Sequence, residues 1–325
     1  MNATEDFAKT VWWYRWFAEN EAPGRSALFE EWAHGVADDV ELIERLAELP
    51  RPKRQPNLLF ACSRLVGCPL ASYPEWREWL LANWSAVSAE MRVRGTQTNE
   101  PRRCAVLLPL LAQVEGPIAL LEVGASAGLC LYPDRYSYSY DRRRIDPVDG
   151  PSTVLLECAT TGNPPIPTAL PEIVWRGGID LNPLDLTNAD DTNWLETLIW
   201  PEQHERLARI RAAMDIVRAD PPRIVRGDAI DDLPALVAEA PTNVSLVIVS
   251  SAAIVYLMPE PRARFIDYAR SLAATWISNE GAGIVPVAAA VLGDRVSPVV
   301  GQMLLSRNEK PFAFTGPHGD RLDWL

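Results

Sequence analysis

The chain has 325 residues, 48% hydrophobic and 23% charged, with a formal net charge of −12; this is globular composition, enough for one large domain or two modest ones. An acidic chain neutralises phosphates poorly, so nucleic acid is not an expected partner, and no apolar run nears the ~18 residues of a membrane span. Five scattered cysteines and three histidines exclude a disulfide framework and a His-rich metal centre, so no metal is expected. The opening "MNATEDFAKTVWWYRW" has no basic n-region or apolar h-region, which makes the cytoplasm the expected location.

Residues 1–95 read as an N-terminal helical domain. Trp12, Trp13 and Trp16 open it. Leu28, Phe29, Trp32 and Val36 recur at helical spacing, as do Trp76, Leu80, Trp84, Val87 and Met91. "PRPKRQP", 50–56, breaks the helices. So many tryptophans predict an aromatic core between helices, with an aromatic wall over a ligand as the alternative. "TQTNEP", 96–101, is a polar turn in which Asn99 is expected to cap the helix "RRCAVLLPLLAQV", with Glu100 in its first turn.

From residue 96 to 325 the pattern alternates strand and helix. "PIALLEVG" reads as a buried parallel strand and "SAGLCLYPDRY" as a short helix. A small β insertion is expected around 136–172, from "YSYSYD" and "STVLLECA". Then come a strand in "EIVWRGGIDL", a helix over "WPEQHERLARIRAAMDIVRAD", a strand in "PRIVRGDA", a helix in "DDLPALVAEA" and a strong strand in "VSLVIVSSAAIVYL". "PEPRARFIDYARSLAATW" reads as a helix, "GAGIVPVAAAV" as a strand and the tail as a β hairpin. The expected class is α/β, a Rossmann-like, doubly wound, mostly parallel sheet.

"LLEVGASAGL" carries the functional question. Gly-x-Ser-x-Gly matches the nucleophile elbow of α/β-hydrolases, and the chain order allows Ser126, then Asp228 or Asp294, then His318 as a triad. No strand precedes this one to supply an oxyanion hole, and Glu122 at the end of an apolar strand needs a partner. Acid-x-Gly-x-Ser-x-Gly after a first strand instead resembles motif I of class I S-adenosylmethionine-dependent methyltransferases, with Ser126 at the middle glycine. That resemblance implies S-adenosylmethionine as cofactor. Gly124 would turn the chain, Ser126 and Gly128 would let backbone approach, the next helix would aim N–H groups at the methionine carboxylate, and Glu122 would accept from the ammonium. It also implies that Asp180 in "GIDLNPLDL" takes the ribose hydroxyls, with Asp141 as rival at the usual interval of roughly twenty residues. Asp228 and Ala229 in "VRGDA" would take the adenine. Ser250, Ser251 and Tyr256 would lie near the methyl group. Beyond these motifs, "QPNLLFACSRL", "TQTNEPRRCAVLLPLL", "DRYSYSY" and "WPEQHERLARIRAA" together resemble a bacterial family known as domain of unknown function 2332, over nearly the whole chain.

Methyl transfer needs an in-line acceptor, water exclusion and, for oxygen or nitrogen, a base. Glu100, Asn99 and Tyr256 are the catalytic candidates, and Arg103 would bind an acceptor carboxylate or pair with Glu100. His34 and His204 read as helix-surface residues and His318 as a turn residue. The expected function is methyl transfer to a small molecule or protein side chain. The alternatives are a repurposed, non-catalytic nucleoside-binding protein and a serine hydrolase using Ser126. A homodimer is left open.

Overall fold

A computed structural model describes residues 3–97, 99–295 and 301–325. Thr98, in the middle of the "TQTNEP" turn, lies outside the described residues.

The chain divides into two compact units, one of residues 1–98 with 189–208 and one of 99–188 with 209–325. The first is helical: α1 (Ala3–Asn20), α2 (Ala27–Asp38), α3 (Val40–Ala47), α4 (Pro56–Val66), α5 (Tyr73–Ala82) and α6 (Trp84–Val93). Local chemistry sets the boundaries. Ser26 caps α2 by accepting from the Phe29 N–H, Asp39 caps α3 by accepting from the Leu42 N–H, and Gly67 ends α4 at φ 100°. The stripe Trp76–Met91 is buried as expected but belongs to two helices that meet at Asn83. Trp32 stacks on Trp76 at 4.5 Å, and Phe60 meets both edge-on, so the aromatics form a core.

The segment 189–208, read from sequence as part of the second domain, packs in this unit. It contributes α8 (Ala189–Thr197) and Trp200, which lies 5.5 Å from Phe17 and 5.6 Å from Phe29. Arg64 Nη1 donates to the carbonyls of Thr197 and Ile199, and Arg94 pairs with Asp190.

The second unit is α/β. Its strands are β1 (Ile118–Val123), β2 (Ser137–Tyr140), β3 (Arg143–Ile145), β4 (Leu155–Thr161), β5 (Ile173–Asp180), β6 (Arg223–Arg226), β7 (Ser245–Ser251), β8 (Thr275–Gly281), β9 (Met303–Arg307), β10 (Lys310–Thr315) and β11 (Arg321–Trp324). They form one sheet in the order β3-β2-β4-β11-β10-β9-β8-β7-β1-β5-β6. The run β6-β5-β1-β7-β8 is parallel throughout. β1 is buried along its whole length, as a central strand of a parallel sheet should be. The expected β insertion exists as β2–β4, and it extends the same sheet at its far edge through the parallel pair β4–β11.

The helices of this unit are α7 (Arg103–Leu111), most of α9 (His204–Ala219), α10 (Leu233–Glu239), α11 (Pro259–Ser271) and α12 (Pro286–Leu292). Among all described residues, no helix is long and apolar enough to cross a membrane.

Two expected elements differ. The strand expected over 281–291 is β8, which begins at Thr275 in a stretch read as helix; Pro286 at the first helical position and the alanines after it start α12 instead. The helix expected in "SAGLCLYPDRY" is a single 3-10 turn, Leu129–Leu131. Pro133 follows at once, and Arg135 and Tyr136 lead into β2, so no room remains for a helix.

Candidate functional site

In a parallel sheet, loops at the carboxyl ends of neighbouring strands that leave in opposite directions open a crevice. Here β1 is that junction. Its neighbours are β5, leading outward to β6, and β7, leading the other way to β8. The turn 124–128, Asp180, Asp228 and the turn after β7 all lie at this edge.

The turn after β1 alternates positive φ: Gly124 at 77°, Ser126 at 50° and Gly128 at 76°. The loop is tightly fitted. A Cβ on Gly124 would lie 2.7 Å from the Ala253 Cβ, and one on Gly178 would lie 2.6 Å from the Ala125 Cβ. The second contact explains "RGGID": a side chain at Gly178, paired with Glu122 across the strands, would block the loop folding back.

Five of the six N–H groups from 124 to 129 bond within the protein: Gly124 and Ala125 to the Ile179 carbonyl, Ser126 to Asp180 Oδ2, Gly128 to the Ala125 carbonyl and Leu129 to Asn99 Oδ1. This corrects the expectation of a helix start offering free N–H groups to a carboxylate. Without a helix the loop closes on itself, on β5 and on Asn99.

Asn99 therefore does not cap α7. Its side chain clamps the loop, with Nδ2 donating to the Ala125 carbonyl at 3.1 Å and Oδ1 accepting from the Leu129 N–H at 2.9 Å. Glu100 is fully buried and accepts from Arg209 Nε at 3.1 Å and from the Arg102 N–H. Arg209, not Arg103, is its ion-pair partner.

Asp180 stands at the end of β5, beside β1, and its two oxygens accept from the N–H groups of Ser126 and Asn182 at 2.8 Å each. Its rival Asp141 sits in the β2–β3 turn, exposed, with both oxygens on Thr160. Asp228 accepts from the N–H groups of Ile230 and Asp231, in a turn that also contains Ala229. Ser250 is buried on the core face, where Trp276 Nε1 donates to its Oγ at 3.2 Å, and so does not face the crevice. Tyr256 is 78% exposed in a one-turn 3-10 helix.

Ser126 Oγ is buried without a hydrogen-bond partner, so no imidazole is bonded to it. Glu122 is buried with Oε2 likewise unpartnered. Burial pushes its carboxyl well above the usual range, assisted by Cys130 and Asp180 and opposed by the Arg103 charge.

The sequence missed a second buried acid at the same edge. Glu280, near the end of β8, is 1% exposed, and its Oε1 accepts from the N–H groups of Ala253 at 3.0 Å and Ile254 at 3.2 Å. Its Oε2 has no partner. Burial raises its carboxyl to about 7, against the lowering effect of those N–H groups and of Arg103. Arg103 itself is buried, with Nε donating to the Pro317 carbonyl and Nη1 to the Ser251 carbonyl. The signal was "ISNEG", a polar end to an apolar strand, hidden by the misplaced strand boundary.

The family model described as "Uncharacterized protein conserved in bacteria (DUF2332)" matches residues 12–324. The chain belongs to this DUF2332 family. No curated protein matches it. The DUF2332 match runs through both units, including helices α2–α6, the β2–β4 strands and the tail.

Proposed function

We propose that this DUF2332 protein binds S-adenosylmethionine at the carboxyl edge of its parallel sheet and transfers the methyl group to a small-molecule or protein acceptor. One observation carries the reading: the three acid-bearing strand ends, Glu122, Asp180 and Asp228, follow the strand order β1-β5-β6 outward from the junction with β7. A ligand with an amine, a ribose and a base would meet one acid each along that line.

The residues fit such a ligand in part. Glu122 has an unpartnered buried oxygen to accept from an ammonium group. Asp180 has two bonds to backbone N–H, and a carboxylate has about four lone-pair positions, which leaves acceptors for hydroxyls. The backbone of 124–129 does not fit the carboxylate role, because five of its six N–H groups are engaged. When bound, the cofactor supplies an electrophilic methyl group; the chain's work is to orient it and exclude water.

Isothermal titration and thermal unfolding with S-adenosylmethionine and S-adenosylhomocysteine test the reading. Saturable heat and a raised unfolding midpoint are expected. No heat and no protection at millimolar ligand would overturn it.

A second reading, nucleoside binding without transfer, is favoured by the engagement of Asn99 and Glu100 inside the protein. It predicts the same binding with no methylated product across acceptor mixtures.

A further inference from the structure

We infer that Arg103 and Glu280 complete, with Glu122, a site built from side chains for the head group of an α-amino acid, the ammonium against the two carboxyls and the carboxylate against the guanidinium. This rests on the cofactor reading above, in which the head group is the methionine end of the ligand.

The argument starts from position. β7 lies between β1 and β8, so Glu122 and Glu280 flank it on either side. Glu122 pairs with Val249, whereas Glu280 follows Asn279, the partner of Ser251. Side chains alternate along a strand, so Glu122 and Glu280 start on opposite faces of the sheet. A ligand touching both must cross the carboxyl edge, where the Glu280 carboxyl already is: it holds N–H groups of Ala253 and Ile254, just past the end of β7. Arg103 comes to the same strand end, bonded to the Ser251 carbonyl. Its charge acts on both acids.

Hydrogen-bond chemistry then fixes the ligand class. Glu122 Oε2, Glu280 Oε2 and Ser126 Oγ are buried and lack partners. The first two, once ionised, call for donors. Arg103 uses Nε and one N–H of Nη1, leaving three of the five guanidinium N–H groups, and it has no carboxylate partner within 4 Å among the described residues. Those N–H groups call for an acceptor anion. A simple cation would face the guanidinium, and a simple anion would face two acids. A zwitterion with adjacent ammonium and carboxylate satisfies both sets.

The titratable and charged groups around Glu122 are Cys130, Arg103 and Asp180; around Glu280 they are Arg103 and the N–H groups of Ala253, Ile254 and Val255. An arriving ammonium favours the ionised form of Glu280, whose carboxyl is raised to about 7, so binding releases protons to the buffer near that pH.

The test uses the full chain with three probes: S-adenosylhomocysteine, 5′-methylthioadenosine, which lacks the head group, and L-methionine. Wild type should bind S-adenosylhomocysteine at least roughly tenfold more tightly than methylthioadenosine. Its binding heat at pH 7 should vary with buffer ionisation enthalpy, reporting proton release. Glu122→Gln, Glu280→Gln and Arg103→Lys, each checked for an intact unfolding transition, should lose roughly tenfold or more for S-adenosylhomocysteine, a difference of about 1.4 kcal/mol or more. They should leave methylthioadenosine within about twofold, and Glu280→Gln should release fewer protons. Equal wild-type affinity for the two nucleosides, or variants that weaken both alike, would overturn the inference. If neither nucleoside binds, the cofactor reading fails. The head-group site then stands only on L-methionine binding that the variants abolish, and no binding of any probe overturns both.

Discussion

Glu280 gives the sharpest link between this structure and a measurement. Replacing it by glutamine keeps the shape of the protonated side chain and the acceptor for the N–H groups of Ala253 and Ile254, while removing the proton equilibrium. In the folded protein this carboxyl titrates near 7, against 4.5 for an ordinary glutamate, because burial disfavours the charge. The folded state therefore binds the proton more tightly than the unfolded chain. Its contribution to stability is fully present below pH 4.5 and is lost as pH rises to 7 and beyond. The gap between 4.5 and about 7, at about 1.4 kcal/mol per pH unit, amounts to about 3 kcal/mol, of which about 2–3 kcal/mol falls between pH 5 and 8. Urea unfolding of wild type and Glu280→Gln at several pH values isolates this group, since all other titrations cancel in the difference. The two proteins should be nearly matched at pH 5, with the variant more stable by about 2–3 kcal/mol at pH 8. Parallel stability curves across that range would refute the burial argument, and a variant that weakens with rising pH would reverse its sign.

Two further outcomes follow from the loop after β1. Asn99→Ala leaves the Leu129 N–H without its partner and the Ala125 carbonyl with the Gly128 N–H alone, which should destabilise the protein by about 1–3 kcal/mol in chemical denaturation; a loss under about 0.5 kcal/mol would mean the clamp is dispensable. Arg209→Met removes the ion-pair partner of the fully buried Glu100 and should destabilise by about 3–5 kcal/mol, whereas pairing it with Glu100→Gln should recover much of that loss in a double-mutant cycle.

The α/β class, the central strand 118–123 and the aromatic helical core were legible in the sequence because each is written in local periodicity. "PIALLEVG" is a continuous apolar run ending in glycine, and Trp76, Leu80, Trp84, Val87 and Met91 keep helical spacing even across the Asn83 break. What escaped was set by distant partners. Nothing local distinguishes Asn99 as a helix cap from Asn99 as a clamp on residues 125 and 129; the choice depends on where β1 ends relative to α7. The pairing of Glu100 with Arg209 joins residues separated by 109 positions. Trp200 reads as the start of a helix in the second domain, yet its ring packs on Phe17 and Phe29. Glu280 was lost with a strand boundary: apolar runs on both sides of "SNEG" made two registers equally good by pattern, and only pairing with β7 and β9 selects the one that ends at Gly281.

The closure of the 124–129 loop changes which chemistry can recognise a ligand here. An open glycine turn before a helix offers backbone N–H groups, whose donor capacity is indifferent to pH and to side-chain substitution. In this chain Asp180, Asn99 and the Ile179 and Ala125 carbonyls take five of the six N–H groups from 124 to 129, and Ala253 fills the space over Gly124. The turn is thereby a rigid support whose small residues admit neighbouring protein rather than a ligand. Among buried side-chain atoms at this edge, Glu122 Oε2, Ser126 Oγ and Glu280 Oε2 lack partners. Under the proposed reading, recognition would rest on ionisable groups held out of water, and so would be selective for charge pattern and responsive to pH in a way a backbone cradle is not. The same burial that makes these acids costly to ionise makes a correctly charged partner valuable to them.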